Sequence, residues 1–562
     1  MATRRRAARR SAAPAPAPAP PRSLVKSSCS RPQTPPPRRG SLARVQSARR
    51  ATSRGDAVGE GLRVWRGALA RGAHLAMEGA AARKALKEAF VSGHGGAGVG
   101  DVLFAGGLLV PCCLLLRNAV LARLARGAGG GASHGASTSA GFWIDFALLV
   151  APNVAFFVAP IATVPYAAAA GCLGFLALAA LVAPAEALRG RKMTRERLAL
   201  VSDTRRVPFL TNFRASMMVA TCIGILAVDF PAFPRRYAKA ETFGTGLMDV
   251  GVGSFVLSNA LVGREGKDGA GRGLMARAAR AFRQASPLVL LGAVRLLSTK
   301  GIDYQEHVSE YGVHWNFFFT LAAVNVLRGL LPDAWATTGD AGGVLAVPHF
   351  WAGLGVLFLH QAALSAGLSA YIQDDSNRTD LGLVSLNKEG IVSTPGYVGL
   401  ALLSQALGEA AVMGWRPRGE ARSERSLWVA WVARLATLSG LFWAALYPLS
   451  KVVEPVSRRT CNAAYVVWVI AFNLSVLAAF AAVEVIGPLP PGHAAVRVYQ
   501  SINRNALAVF LAANLLTGAV NIFTDTLSAS DAQAQGTLHA YMAVVAGAAF
   551  AADRADLSLK YW

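Results

Sequence analysis

Apolar runs long enough to cross a bilayer as helix recur along this chain from about residue 102 to residue 552. A helix needs about 20 consecutive apolar residues to span the hydrocarbon core. Runs of this kind centre near 102–122, 143–162, 165–183, 211–228, 245–262, 286–299, 313–331, 344–370, 397–413, 427–447, 462–486, 505–523 and 538–552. The sixth is short and carries Arg295, and the second and third are nearly continuous. A transmembrane barrel would instead show alternating strands of about 10 residues, and no such pattern is present. Only 16% of the 562 residues are charged, against about 25% in soluble globular proteins. The expected fold is an all-α polytopic membrane protein with about thirteen transmembrane helices in one bundle.

A formal net charge of +25 would point to nucleic acid if it covered a folded domain. It does not. Residues 1–90 hold 20 Lys and Arg against Asp56, Glu60, Glu78 and Glu88, so 20 − 4 = +16 of the charge lies there. That segment is rich in Ala, Pro, Ser and Arg and has no apolar period. It reads as a disordered basic extension over 1–86, ahead of a transmembrane domain over 87–562. It lacks the apolar region of a secretory signal; its readings are an organelle transit peptide, a plain unstructured extension or a reading frame begun too far upstream. The six cysteines show no C-x-x-C and no grouping with His, so neither a disulfide framework nor a metal site is expected.

Short-loop charge sets orientation. Arg189, Arg191, Lys192, Arg195, Arg197, Arg205 and Arg206 lie in the third-to-fourth connection. Arg264, Lys267, Arg272, Arg277, Arg280 and Arg283 lie in the fifth-to-sixth, and Arg416, Arg418, Arg422 and Arg425 in the ninth-to-tenth. These share one side, expected to be cytosolic. "KGIDYQEHVSEYG" and "QDDSNRTD" fall on the other, expected to be lumenal, where Asn377 forms a glycosylation sequon. The basic tail falls on the lumenal side by this parity, which long segments tolerate.

Ionisable groups at membrane depth are costly and mark function by default. In "ILAVDFPAFPRRYAKAETFGTGLMDVGVGSF" (residues 225–255), Asp229 closes the fourth span, and Pro231 and Pro234 prevent the helix from continuing. Arg235, Arg236 and Lys239 follow, and Asp249 sits in a glycine-rich apolar run. "SEYGVHWNFFF" brings Glu310, His314 and Asn316 to the seventh span, and "SLNKEGIVSTPGYVGL" brings Asn387, Lys388 and Glu389 to the ninth. "SRRTCNAAYVVW" places Arg458, Arg459 and Asn462 before the eleventh. Asn514 and Asn521, seven apart in the twelfth, suit interhelical hydrogen bonding.

Together these blocks resemble the glycosylphosphatidylinositol (GPI) inositol acyltransferase family, the PIG-W or GPI-anchored wall transfer protein group. "KEAFVSG" at 87–93 is similar to that family's N-terminal region, so the resemblance runs from about Lys87 to the C-terminus. The resemblance implies an endoplasmic reticulum membrane enzyme. It would transfer a fatty acyl group, typically palmitoyl, from acyl-CoA to the inositol 2-hydroxyl of glucosaminyl-phosphatidylinositol. It implies Asp229 as the catalytic carboxylate, with Lys239 stabilising the oxyanion or holding Asp229 and the acceptor phosphate. Arg235 and Arg236 suit that phosphate. Asp249, Glu310, His314, Asn316, Asn387 and Lys388 complete the candidate substrate-binding set. No cofactor or metal beyond acyl-CoA as co-substrate, no nucleic acid and no obligate protein partner is expected. Two rivals stand beside this reading: a membrane O-acyltransferase centred on His314 and Asn316, and a lipid or solute transporter with an intramembrane Asp/Lys pair.

Overall fold

The computed structural model describes residues 89–90, 92–127, 139–183, 207–263, 273–302, 308–332, 335, 343–412, 424–486 and 496–559. The segment 1–86 and most of the basic connections, over 184–206, 264–272 and 413–423, lie outside the described residues. A division at Leu75/Ala76 places every described residue in the second compact unit.

All thirteen apolar runs fall on helices. They are α1 (Val99–Leu124), α2 (Ser139–Val158), α3 (Ala167–Val182), α4 (Pro208–Ala227), α5 (Leu247–Leu261), α6 (Leu274–Ile302) and α7 (Phe317–Gly329). After these come α8 (Pro348–Gln373), α9 (Lys388–Val412), α10 (Trp428–Val453) and α11 (Ala463–Ile486). A short helix, α12 (Arg497–Arg504), precedes α13 (Ala506–Phe523) and α14 (Asp531–Arg554). Eight of these are both long and apolar enough to cross a membrane. No strand occurs among the described residues, only one isolated parallel bridge between Gly96 and Thr245.

Position in the bundle follows apolar distribution. A helix that is apolar all round is stable only when buried or lipid-facing. In α9 and α11, 83% of the apolar window is buried, so they form the centre; α13 (17%), α10 (22%) and α8 (28%) form the rim. α11 packs along α10, α9 along α8 and α5, α6 along α7, and α1 along α3. The exposed apolar side chains of the rim, such as Phe358, Leu441, Leu515 and Phe523, are the lipid-facing surface. α9 reaches the centre through Gly396, where a Cβ would lie 2.1 Å from the Cys461 carbonyl oxygen; a side chain there would push the 454–462 connection off the helix.

Two departures from the sequence expectation concern helix ends. Arg277, Arg280 and Arg283 belong to the first turns of α6, which begins at Leu274 and not near 286. These arginines recur every three residues, and long Arg stems lie along a helix surface while their charge reaches outward. α12 was hidden because eight residues, "RVYQSINR", carry too few apolar positions to register as a span; Val498, Tyr499 and Ile502 are buried.

α5 and α7 have 15 and 13 residues. At 1.5 Å per residue they are about 22 and 20 Å long, short of the ~30 Å hydrocarbon thickness. Both begin at the same end of the bundle. The connections leading into them, 228–246 and 308–316, therefore fold in beside the helices, where protein must satisfy their backbone.

Candidate functional site

Six connections converge on that end. Gly96 bridges Thr245, and Arg236 donates to the carbonyls of Ala162 (2.6 Å), Thr163 (2.8 Å) and Val164 (3.0 Å). Lys239 pairs with Glu310. The Gly244 amide donates to the Val456 carbonyl (2.8 Å) and Ser457 Oγ to the Thr242 carbonyl (2.6 Å). The Val313 amide donates to the Leu386 carbonyl (2.9 Å). Asn521 at the end of α13 reaches Asp229. The blocks singled out in the sequence thus share one face, called here the motif face. The α2–α3, α4–α5, α6–α7, α8–α9 and α10–α11 connections share this face, and the C-terminal end of α13 joins them.

Asp229 stands where α4 unwinds. Its amide donates to the Leu226 carbonyl (3.2 Å), and that of Phe230 to the Ala227 carbonyl (3.0 Å). Pro231 and Pro234 carry no N–H, so the helix ladder stops. Asn521 Nδ2 donates to Asp229 Oδ2 at 2.7 Å, and Thr526 Oγ1 to Asn521 Oδ1 at 3.3 Å. The half-buried carboxylate is thus aimed by the neighbouring helix. The Asn521 expected to bond between helices does so, with the candidate base as its partner.

Lys239, ten residues on, donates to Glu310 Oε1, with the lysine 34% and the glutamate 15% exposed. Behind Glu310 the charges are closed to solvent. Arg458 Nε donates to Asp249 Oδ1 at 2.7 Å, with side chains 4% and 0% exposed. The other Asp249 oxygen accepts from the amides of Ala240 (2.9 Å) and Gly246 (3.0 Å). Gly246 permits this fold-back: a Cβ there would lie 2.2 Å from the Ala238 carbonyl oxygen. The Tyr311 ring lies 5.9 Å from the Arg458 guanidinium carbon. Burial acts to lower Arg458, but the charges of Glu310 and Asp249 outweigh it and hold the guanidinium well above its ordinary value. The order inward is therefore Lys239, Glu310, Arg458, Asp249, alternating in sign, with only the outermost cation well exposed.

Arg458→Leu is expected to destabilise the protein by about 3–5 kcal/mol, because it leaves the Asp249 charge buried without its partner. Adding Asp249→Asn should recover part of that loss. Thermal unfolding of both variants in detergent micelles checks this; equal destabilisation in the single and double variants contradicts it.

The remaining candidates take framework contacts. Arg236 Nε donates to Asp101 Oδ2 (2.7 Å) while its other nitrogens hold the 162–164 turn. Arg235 donates to the carbonyls of Val228, Phe230 and Phe233. Asn316 caps α7, accepting from the Phe318 (3.0 Å) and Phe319 (3.3 Å) amides and donating to the Gly292 carbonyl (2.9 Å). Asn387 accepts from the His314 amide (2.7 Å) and donates to the Leu383 carbonyl (2.8 Å). Lys388 donates to the carbonyls of Tyr371 and Asp374 and to Asn377 Oδ1. Asn377 Nδ2, the sequon's amide, is engaged by the Tyr371 carbonyl at 2.8 Å. The His314 Nδ1 atom is buried without a hydrogen-bond partner among the described residues.

Glu389 and Arg459, visible in the sequence as charges beside separate spans, join Arg378 and Asp375 in a second ionic group on this face. Glu389, fully buried, accepts from Arg378 (2.8 Å) and Arg459 (2.9 Å), and both arginines also reach Asp375 at 2.7 Å. Burial acts to raise Asp375, but Arg459 and Arg378 hold its carboxyl below the usual range. The signal was present in the sequence, as charges beside spans 9 and 11, but their partners are up to 84 residues apart.

Comparison with known proteins gives a consistent picture. The sequence model described as GWT1 matches residues 83–552. A GPI-anchored wall transfer protein 1 from Aspergillus oryzae is 38% identical over 526 residues, covering 85% of this chain and 99% of that protein. The protein of the same name from Gibberella zeae is 41% identical over 389 residues, covering 63% of this chain and 74% of its own. An uncharacterized Arabidopsis thaliana protein is 39% identical over 356 residues, covering 63% and 75%.

Proposed function

This chain belongs to the GWT1 family, and from that premise we propose how its site performs inositol acylation in GPI-anchor biosynthesis. The enzyme is an acyltransferase, and the acceptor is a GPI intermediate, glucosaminyl-phosphatidylinositol. The donor is a fatty acyl-CoA, with palmitoyl as the expected chain, and the enzyme works in the endoplasmic reticulum membrane. The observation that carries the assignment of the site is the placement of Asp229 and Lys239 on one face. One connection holds both, each with a dedicated partner, beside two helices too short to fill the bilayer.

Asp229 takes the proton of the inositol 2-hydroxyl as the oxygen attacks the thioester carbonyl carbon. Negative charge then develops on the carbonyl oxygen, where the Lys239 ammonium compensates it. Collapse breaks the carbon–sulfur bond, and the proton held by Asp229 passes to the departing CoA sulfur. Lys239 as a nucleophile would first have to leave Glu310 Oε1, to which it donates. The short-loop charges support a lumenal motif face. CoA, a cytosolic polyanion, would then bind the basic connections of the opposite face and extend its acyl-pantetheine arm through the bundle to Asp229. A structure with CoA held wholly on the motif face overturns that route.

The rival centre at His314 and Asn316 is disfavoured by Asn316, whose amide group is committed to capping α7 and to the Gly292 carbonyl. The direct test uses purified full-length protein, glucosaminyl-phosphatidylinositol and labelled palmitoyl-CoA. Transfer of label to the acceptor as an alkali-labile ester is expected. Absence of transfer, together with acceptor movement across liposomes independent of acyl-CoA, would favour the transporter.

A further inference from the structure

We propose that Arg235 is a positioning residue for Asp229, acting through the backbone on both sides of it, and not a ligand for the acceptor phosphate. The proposal rests on the reading of Asp229 as the base. One guanidinium nitrogen, Nη2, donates to the Val228 carbonyl at 3.0 Å and to the Phe230 carbonyl at 2.9 Å. These are the two residues flanking Asp229. Nε donates to the Phe233 carbonyl at 3.0 Å. The last carbonyls of a helix lack intrahelical donors. Here the deficit is larger, because Pro234 carries no N–H to offer Phe230 in a continued helix. Arg235 supplies donors to the Val228 and Phe233 carbonyls from one rigid fork, and a second donor to the Phe230 carbonyl, which also accepts from the Phe233 amide at 3.1 Å.

The fork has little left to offer a ligand. Of five guanidinium N–H groups, three are spent on carbonyls; the other two, on Nη1, have no hydrogen-bond partner among the described residues but are closed to solvent, so a ligand reaches them only if the turn moves. The guanidinium carbon sits 4.1 Å from the Phe90 ring centroid and 5.3 Å from that of Phe233. Two aromatic faces thus fix its plane. Burial pushes the guanidinium down to about 10, opposed by the neighbouring Asp229 charge. Asn521 orients the carboxylate from α13, while Arg235 fixes the turn that bears it. A displacement of about 1 Å in a reacting group can cost on the order of 10²-fold in rate.

Arg235→Lys keeps the charge and removes the fork. The expected result in the acyl-transfer assay is a fall in kcat of about 10- to 100-fold, with KM for glucosaminyl-phosphatidylinositol within about twofold of wild type. Phe90→Leu, which loosens the fork without touching the turn, should lower kcat in the same way but by less, and it decides the matter if the Arg235→Lys protein does not fold. A rise in acceptor KM with kcat preserved would make Arg235 a phosphate ligand and overturn the proposal, as would unchanged kinetics in a folded variant. Asp229→Asn, assayed alongside, separates the two readings. If that variant keeps wild-type activity, the base assignment falls, whereas the effect of Arg235→Lys on kcat and KM still reports what Arg235 does.

Discussion

Asp229→Asn is expected to lower kcat for acyl transfer by about 10²–10⁴-fold, the range contributed by a positioned general base. The amide is nearly isosteric with the carboxylate, and its oxygen still accepts from Asn521 Nδ2. Acceptor KM and the thermal midpoint should therefore stay close to wild type, leaving proton removal as the function lost. Asp249→Asn is the informative contrast. It also removes a carboxylate from this face, but that carboxylate is wholly buried against Arg458 and two backbone amides. Its loss should appear first as lower thermal stability. A folded Asp229→Asn enzyme with wild-type kcat would remove Asp229 from the chemistry.

The fold was legible in the sequence wherever composition alone determines it. A run of about 20 apolar residues has few alternatives to a transmembrane helix; every run lies on a helix, and eight of those helices are long and apolar enough to cross a membrane. Helix ends were less legible because polar residues inside a helix read as a loop, as with the arginines opening α6. Insertions of a π-turn at 104–108, 146–150, 364–368, 408–412 and 449–453 leave no compositional trace.

The site was legible as a set of segments and not as a set of contacts. Asp229 and its two prolines announce a broken helix locally, and Lys239 is visible as a cation beyond the break. Which charges neutralise which is a long-range property. Lys239 meets Glu310 71 positions away, and Arg458 meets Asp249 209 positions away. Arg235 and Arg236 look equally suited to a phosphate in the sequence. Only the folded chain shows that the first clamps a helix end and the second ties Asp101 to the 162–164 turn. Buried polar backbone in a membrane protein has to be paired by protein groups, and that demand absorbs cations that composition alone would assign to a ligand.

Lys239→Ala should reduce kcat by about 10²–10³-fold, as expected for losing one preorganised donor to a developing oxyanion. Its partner makes the prediction sharper. The sequence placed Glu310 among substrate contacts, whereas the structure pairs it with Lys239 and sets it in front of Arg458. If Glu310 acts by holding Lys239, Glu310→Gln should lower kcat by a smaller factor, about 10-fold. The Lys239→Ala/Glu310→Gln double variant should then be no slower than Lys239→Ala alone, because residues that act as one unit are not additive. If Glu310 binds the acceptor on its own account, the two losses multiply and acceptor KM rises in Glu310→Gln. Full steady-state kinetics on the four proteins distinguishes these outcomes. A Lys239→Ala enzyme that retains kcat but shows a large rise in acceptor KM would move the lysine from oxyanion to phosphate.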